Sequence, residues 1–444
     1  MHVESPQSYS EKPKIISRSV EIRLSGRSPT PPPHQQPRRH ATWLPGPPAG
    51  SRPLLSSTNS LFRPHPAPYN SSRRQAVVTA ALDPSGPRLA IAGITGAVGQ
   101  EFLRVLSERN FPYSSLKLLA SARSAGKTQD FEGVTYTIEE LKADSFGDCD
   151  IALFSAGGGP SKAFIPAANA AGCYVVDNSS AFRMTDGVPL VVPEINGDVV
   201  KKDLKWQWKD RSKAGCIANP NCSTIIALMA VTPLHRAANV RRMVVSTYQA
   251  ASGAGQAAMD ELRQQTIEAC QNRGGTLDTV TTRDIFPWGY AFNLFSHNAP
   301  MTANGYNEEE MKMVKETAKI WGTPAPGTAG AVGVAATCIR VPVMRAHAES
   351  INLELEKPLS ETEARALLEA FPGVTVLDDR SNNRFPMPSD ASFQDDVYVG
   401  RVRADVSRAG TPFEGRALEL FVVGDQIKKG AALNAVQCLS LIHI

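Results

Sequence analysis

The chain is 444 residues long, enough for two or three domains with a sizeable core, and carries a formal net charge of +4. The charge is unevenly placed: residues 1–82 hold nine Arg and two Lys against three Glu, a net of +8, so the remainder carries −4. A mildly acidic body excludes a broad nucleic-acid-binding surface, and no apolar run in the leader approaches a secretory core or a membrane span.

Residues 1–82 also contain 14 of the 33 prolines and 13 serines. An Arg-rich, Ser-rich, acid-poor leader has the composition of a transit peptide, and a disordered tail is its alternative. The expected compartment is the plastid stroma, ahead of mitochondrion or cytosol. Seven cysteines (149, 173, 216, 222, 270, 338 and 438) are odd in number, scattered and free of CxxC pairs. Free thiols in a reducing compartment fit that pattern better than a disulfide scaffold or a metal site.

Regular structure is expected from "RLAIAGITGAVGQEFLRVLSER". A short apolar strand runs into Gly93, Gly96 and Gly99, with Thr95, Ala97 and Val98 between them, and then into a helical pattern of Phe102, Leu103, Val105 and Leu106. Strand, glycine turn and helix form the context a dinucleotide loop requires, although the glycines fall at intervals of three and a ligand-free tight turn has the same pattern. The next strand, "LKLLASARSAGK", brings Ser121, Arg123 and Ser124 to the place where an NAD site carries an acid. A cation and hydroxyls suit a 2′-phosphate, so NADP is the expected cofactor. Strands "CDIALFSAGGG" and "CYVVDNSSAFR" follow, with a helical segment between them. This alternation predicts an α/β, Rossmann-like NADP-binding domain over residues 83–217.

At "NPNCST" a turn places Cys222 at the mouth of a helix that continues as "IIALMAVTPLH". Unpaired N–H groups and partial positive charge at a helix start favour a thiolate; a small buried residue is the plainer reading. Beyond it, "RRMVVSTYQ", "VAATCIRVPVMR", "ESINLELE", "VYVGRVRADV" and "ALELFVVGD" alternate as strands, with "NEEEMKMVKETAKIW" and "LSETEARALLEAF" as helices. They predict an α+β catalytic and dimerisation domain over 218–425 with a mainly antiparallel sheet. Residues 426–444, containing "QIKKGAALNAVQCLS", read as a C-terminal helix returning to the NADP domain. The closing "LSLIHI" is what CTG-TCT-CTT-ATA-CAC-ATC would encode, a run that resembles a common sequencing adapter, so adapter read-through is the hypothesis for it.

Taken together, "GITGAVGQEFL", "SARSAGK", "DNSSAFR", "VPEIN", "NPNCST", "TYQAASGAG", "NGYNEEEMKMVKET", "TCIRVPVMRAH" and "KKGAALNAVQ" resemble, in order, the aspartate-β-semialdehyde dehydrogenase family. The resemblance implies NADPH-dependent reduction of L-aspartyl 4-phosphate to L-aspartate 4-semialdehyde and phosphate. A cysteine thioester is the simplest route for an acyl phosphate, and needs a thiolate, an acid/base and a hydride donor. By resemblance Cys222 is the nucleophile, His347 the acid/base, and Gln249 orients the substrate. Arg340 would grip the α-carboxylate, Glu309 would lie near the amino group, and Arg183, Lys312 and Asn221 would hold phosphate. A salt bridge on a helix face would equally explain Glu309 and Lys312.

For the cofactor, the resemblance assigns the Gly93–Gly99 turn to the pyrophosphate and Ser121, Arg123 and Ser124 to the 2′-phosphate. Ser252 and Gly253 fall on the nicotinamide side, and Gln426 stands where the family usually has Asn. A homodimer is implied, with no metal, nucleic acid or membrane partner. N-acetyl-glutamyl-phosphate reductase shares the chemistry, but PGCY-type residues would be expected around its nucleophile. A non-catalytic NADPH-binding protein is the reading from a different class.

Overall fold

The computed structural model describes residues 82–271 and 280–443; of the expected leader, 1–82, all but Leu82 lies outside the described residues. Short strands build a first sheet: β1 (Arg88–Ala92), β2 (Ser115–Ala120), β3 (Thr128–Phe131), β4 (Val134–Glu140), β5 (Ile151–Phe154), β6 (Tyr174–Asp177) and β7 (Cys216–Ala218). Their order is β3-β4-β2-β1-β5-β6-β7. All neighbours are parallel except the β3–β4 hairpin. Every residue of β5 and β6 is buried, as a parallel strand covered on both faces requires. Helices α1 (Ala97–Glu108) and α2 (Gly158–Ala170) supply crossovers, and the short α3 (Pro193–Asn196) follows β6. Four of these strands are legible in the sequence; the hairpin and the three-residue β7 are additions.

The chain leaves β7 and enters α4 (Cys222–Ala238), buried at 13 of its 17 positions. A helix apolar on all sides must be covered on all sides. One side meets the second sheet, while α3, α6 and α7 cover the others. That sheet contains β8 (Val240–Gln249), β9 (Phe295–Ser296), β10 (Gly333–Arg340), β11 (His347–Leu355), β12 (Val374–Val376), β13 (Val397–Ala404) and β14 (Ala417–Gly424). The order is β12-β13-β14-β11-β8-β10-β9. Only β8–β10 and β12–β13 are parallel pairs. The remaining helices are α5 (Gln256–Gln271), α6 (Glu308–Trp321), α7 (Glu361–Glu369), α8 (Pro388–Ala391) and α9 (Leu433–His443). Capping boxes start α6 at Asn307 and α7 at Ser360, each stabilising its helix by about 1 kcal/mol.

Pairing decides where the chemistry goes. Parallel β8 and β10 set Gln249 beside Arg340 at their C-terminal ends. Antiparallel β11 begins with His347 at that same edge, opposite Gly424, where β14 ends. Parallel β6 and β7 of the first sheet end just before Asn178 and Asn219. Ligands sit outside the carboxyl ends of such strands.

A π-turn (Lys428–Ala432) carries the chain into α9, whose Leu433, Ala435 and Val436 share a core with Ile91 and Val105. Lys429, 1 % exposed, donates to both Glu194 oxygens at 2.8 and 2.7 Å, to Gln437 at 2.8 Å and to Asn434 at 3.3 Å. Breaking a buried pair from one side strands the other charge. Glu194→Ala should therefore lower stability by about 3–5 kcal/mol, read by denaturant unfolding, with Lys429→Met costing less. Equal, small losses would show that Lys429 is not sealed from water.

Candidate active site

A cavity of about 330 Å³ lies between the strand ends of the two sheets. Eleven of the residues expected from sequence line it: Val98, Arg183, Asn221, Cys222, Gln249 and Ser252, together with Gly253, Glu309, Lys312, Arg340 and Gln426. His347 lies behind Gly253 and is fully buried. A methyl group on Gly253 would come within 3.0 Å of Arg340 Nη1 and 3.1 Å of His347 Nε2. Thr95 and the glycines of the first turn, with Ala97, Ser121, Arg123 and Ser124, stand outside the cavity, in the turns after β1 and β2 and the first turn of α1.

Cys222 opens α4, and the Asn221 side chain caps it by accepting the Thr224 N–H at 3.2 Å. The same turn is held from α6. Asn221 Nδ2 donates to Glu309 at 2.7 Å, and the Asn221 backbone N–H donates to Glu316 at 2.6 Å. Glu309 also takes Lys312 Nζ at 2.9 Å, and Glu316 takes Arg183 Nη1 at 3.0 Å. Burial works against the charge on Glu309, yet Lys312, His297 and Asn221 hold its carboxyl well below the ordinary range. Burial instead pushes the Glu316 carboxyl up, against the pull of Arg183.

Burial first, and the Glu309 carboxylate second, push the Cys222 thiol up to about 12, while Arg183, Arg340 and Lys312 pull it down. From sequence, the helix start and a histidine were the expected activators. Magnitudes explain the difference: a helix end is worth up to about 1 kcal/mol, less than one pKa unit, whereas desolvation and a neighbouring carboxylate together outweigh it, even though Cys222 keeps a partly exposed surface on the cavity.

His347 Nδ1 accepts the Ala250 N–H at 3.0 Å, so the proton of the neutral ring is on Nε2. Burial and then Arg340 hold its pKa well below the ordinary histidine value. Ala346, directly before it, has φ +71°, a conformation that costs a non-glycine residue about 1–2 kcal/mol. Gln426 restrains this bend: its Oε1 accepts the Ala346 N–H at 2.9 Å, and its Nε2 donates to Ser252 Oγ. Gln249 Nε2 donates to Ser223 Oγ at 3.1 Å and reaches Glu309 at 3.4 Å.

The first-sheet turn has the shape a dinucleotide needs. Gly93 has φ +89°, and a Cβ there would lie 2.4 Å from Ser155 O; one on Gly99 would lie 2.4 Å from Gly93 O. A Cβ on Gly96 meets nothing closer than 3.4 Å, so the fold itself does not demand glycine at that position. Gly96 caps α1 without a side chain, and no acid occupies the first turn, leaving the N–H groups of Ala97 to Gly99 open to a pyrophosphate. Arg123 is exposed at the end of β2, beside buried Ser124. These residues fit NADP.

Several residues of the site escaped the sequence reading, Glu316, Gly430 and His297 among them. Glu316 was findable, because it falls on the α6 face of Glu309 and Lys312 at i+7 and i+4. Gly430 lies against the nucleophile, where an added Cβ would come 2.9 Å from Cys222 Cβ. His297 lies in an aperiodic loop that carries no such signal.

Comparisons with known proteins agree with this geometry. The NAD binding domain of semialdehyde dehydrogenases matches residues 88–203, and the semialdehyde dehydrogenase dimerisation domain matches 231–429. An aspartate-semialdehyde dehydrogenase from Synechocystis is 47% identical over 359 residues, covering 81% of this chain and 98% of that protein. One from Bacillus subtilis is 42% identical over 354 residues, covering 79% and 96%. A crystal structure of aspartate semialdehyde dehydrogenase II from Vibrio cholerae, complexed with ASA, has a TM-score of 0.72 at 39% identity, covering 80% of this chain and 98% of that one.

Two outcomes test the site. Gly430→Ala should displace Cys222 and lower turnover strongly while NADPH still binds, measured by steady-state rate and cofactor fluorescence; unchanged turnover would show that the turn yields. Glu309→Gln removes a negative charge beside the thiol, lowers its pKa and should speed iodoacetamide alkylation of Cys222 at neutral pH. A slower reaction would mean the carboxylate acts chiefly by holding Asn221.

Proposed function

The chain belongs to the aspartate-semialdehyde dehydrogenase family, and on that premise we propose that Cys222 carries the acyl group in reductive dephosphorylation of L-aspartyl 4-phosphate. The observation that carries the reading is the convergence of Cys222, Gln249 and Arg340 on one cavity, with His347 immediately behind Gly253.

Cys222 Sγ attacks the acyl carbon, the bond from that carbon to the phosphate oxygen breaks, and the thiol proton leaves with the phosphate as hydrogen phosphate. Arg183 and Lys312 stand ready for the phosphate, each already paired with a carboxylate, Glu316 and Glu309. That partial neutralisation lets phosphate leave as well as bind. Arg340, 4 % exposed, presents a planar fork to the α-carboxylate. Glu309, held ionised, supplies the acceptor for the α-ammonium group. His347 offers an Nε2–H to the oxygen that becomes anionic, and Gln249 steadies the acyl group beside Cys222. NADPH, when bound, supplies the hydride. The bond from carbon to Sγ then breaks, the aldehyde forms, and the thiolate recovers a proton.

A homodimer is the proposed assembly. Trp288, Phe292, Leu294 and Met301 are each at least half exposed within one segment of the dimerisation-domain match. Clustered apolar exposure of that kind is what a partner surface covers. The leader composition supports delivery to a plastid, and a reporter fused to residues 1–82 that stays in the cytosol would contradict it.

The purified protein should sustain multiple turnovers of NADP reduction with aspartate semialdehyde only when phosphate is present, and should not accept N-acetyl-glutamate semialdehyde. Cys222→Ala should abolish that turnover and retain NADPH binding. Continued turnover without phosphate, beyond one NADPH per active site, or activity surviving in Cys222→Ala, would overturn the assignment.

A further inference from the structure

His297 lines the same cavity as Arg340 and Glu309, and no role has so far been given to it. It follows β9, whose Phe295 and Ser296 pair with Arg340 and Ile339 of β10. Its backbone N–H donates to Cys338 O at 2.9 Å, and the next residue, Asn298, accepts Arg340 Nε at 3.3 Å. The loop is thus fastened to the strand that carries the substrate arginine.

Its ring has one fixed tautomer. Nδ1 accepts the Ala299 N–H at 3.1 Å, which leaves the proton of the neutral ring on Nε2. The charged and titratable groups around it are Arg340, Lys312, Glu309 and His347. Two cations against one carboxylate oppose a third positive charge, and burial followed by Arg340 lowers the His297 pKa to about 4. At neutral pH the ring is an uncharged N–H donor.

Resting on the function proposed above, we propose that His297 is a specificity-determining residue that donates Nε2–H to the substrate α-carboxylate beside Arg340. The donor inventory favours this ligand. Arg340 spends Nε on Asn298 and Nη1 on Ala250 O at 3.3 Å, so part of its fork is engaged. A carboxylate has about four lone-pair sites and accepts a second donor readily. An ammonium cannot be the partner, because the ring's acceptor nitrogen is already occupied. Phosphate falls to Arg183 and Lys312, which lie against Glu316 and Glu309.

The experiment compares His297→Leu with His297→Gln, which keeps an N–H donor, in phosphate-dependent NADP reduction. His297→Leu should lower kcat/KM for aspartate semialdehyde by roughly ten- to a hundredfold, the value of a hydrogen bond to a charged group. The KM for phosphate should not move, and His297→Gln should restore most of the loss. Discrimination between aspartate semialdehyde and β-aminopropanal, which lacks the carboxylate, should fall by the same factor in His297→Leu. It should persist in His297→Gln, with a pH profile like that of the natural enzyme.

A His297→Gln variant as poor as His297→Leu, an equal rise in phosphate KM, or undiminished discrimination in His297→Leu would overturn the proposal. So would an alkaline limb in kcat/KM that disappears in His297→Gln, since the working ring would then be cationic. Should His297→Leu not fold, the discrimination and pH profile of His297→Gln still decide the matter. Absence of phosphate-dependent activity in the natural chain would overturn the proposed function itself, and this inference with it.

Discussion

The charges around Cys222 are largely buried, and a buried charge persists only where it is paired. That constraint organises the site. Helix α6 contributes Glu309, Lys312 and Glu316 along one face: Lys312 pairs with Glu309, Arg183 pairs with Glu316, and the two carboxylates take the side-chain amide and the backbone N–H of Asn221. Two buried carboxylates therefore hold the turn that aims Cys222, and the same carboxylates pair with the cations Arg183 and Lys312. Removing one partner would expose its counterpart to a penalty of about 3–5 kcal/mol, so the arrangement is cooperative. It links the first sheet, which carries Arg183, to the second domain through a single helix.

The cofactor side is tied to the same centre by a different route. Arg345 pairs with Glu101 of α1 at 3.0 Å and with Asp425 at 2.6 Å, and it immediately precedes the bend at Ala346. Helix α1 begins at the glycine turn that suits the pyrophosphate, while the bend at Ala346 sets His347. The two ends of the reaction thus share rigid elements: α1 and Arg345 on one side, α6 and Asn221 on the other. Motion in either loop would misplace a reacting group, and misplacement by about 1 Å can cost a hundredfold in rate.

Much of this was readable from residue order. Apolar runs bounded by glycine gave β1, β5 and β6, and the alternation in "RRMVVSTYQ" gave β8, because burial on one or two faces writes itself into the pattern. Helices α6 and α7 were legible from their period. The β3–β4 hairpin was not, since its strands are polar and mostly exposed and so carry little apolar pattern, and neither were the three-residue β7 and the π-turn at Lys428–Ala432, which have no periodic signature. In the site, Cys222, Gln249, Arg340 and the α6 pair stood out through motif resemblance, and the structure brings them to one cavity. His297 and Gly430 stayed hidden because their importance comes from contacts across the chain. The direction of the Cys222 shift was hidden too, since it depends on burial and on a carboxylate 87 residues away in sequence.

The central claim is that the acyl group passes through Cys222 as a thioester. The direct measurement is a single-turnover reaction of the enzyme with aspartate semialdehyde and NADP in the absence of phosphate, followed by mass spectrometry of its peptides. The account predicts a burst of NADPH matching the active sites and an aspartyl adduct on the Cys222 peptide that phosphate discharges. No burst without phosphate, or an adduct on any of the other six cysteines, would contradict it.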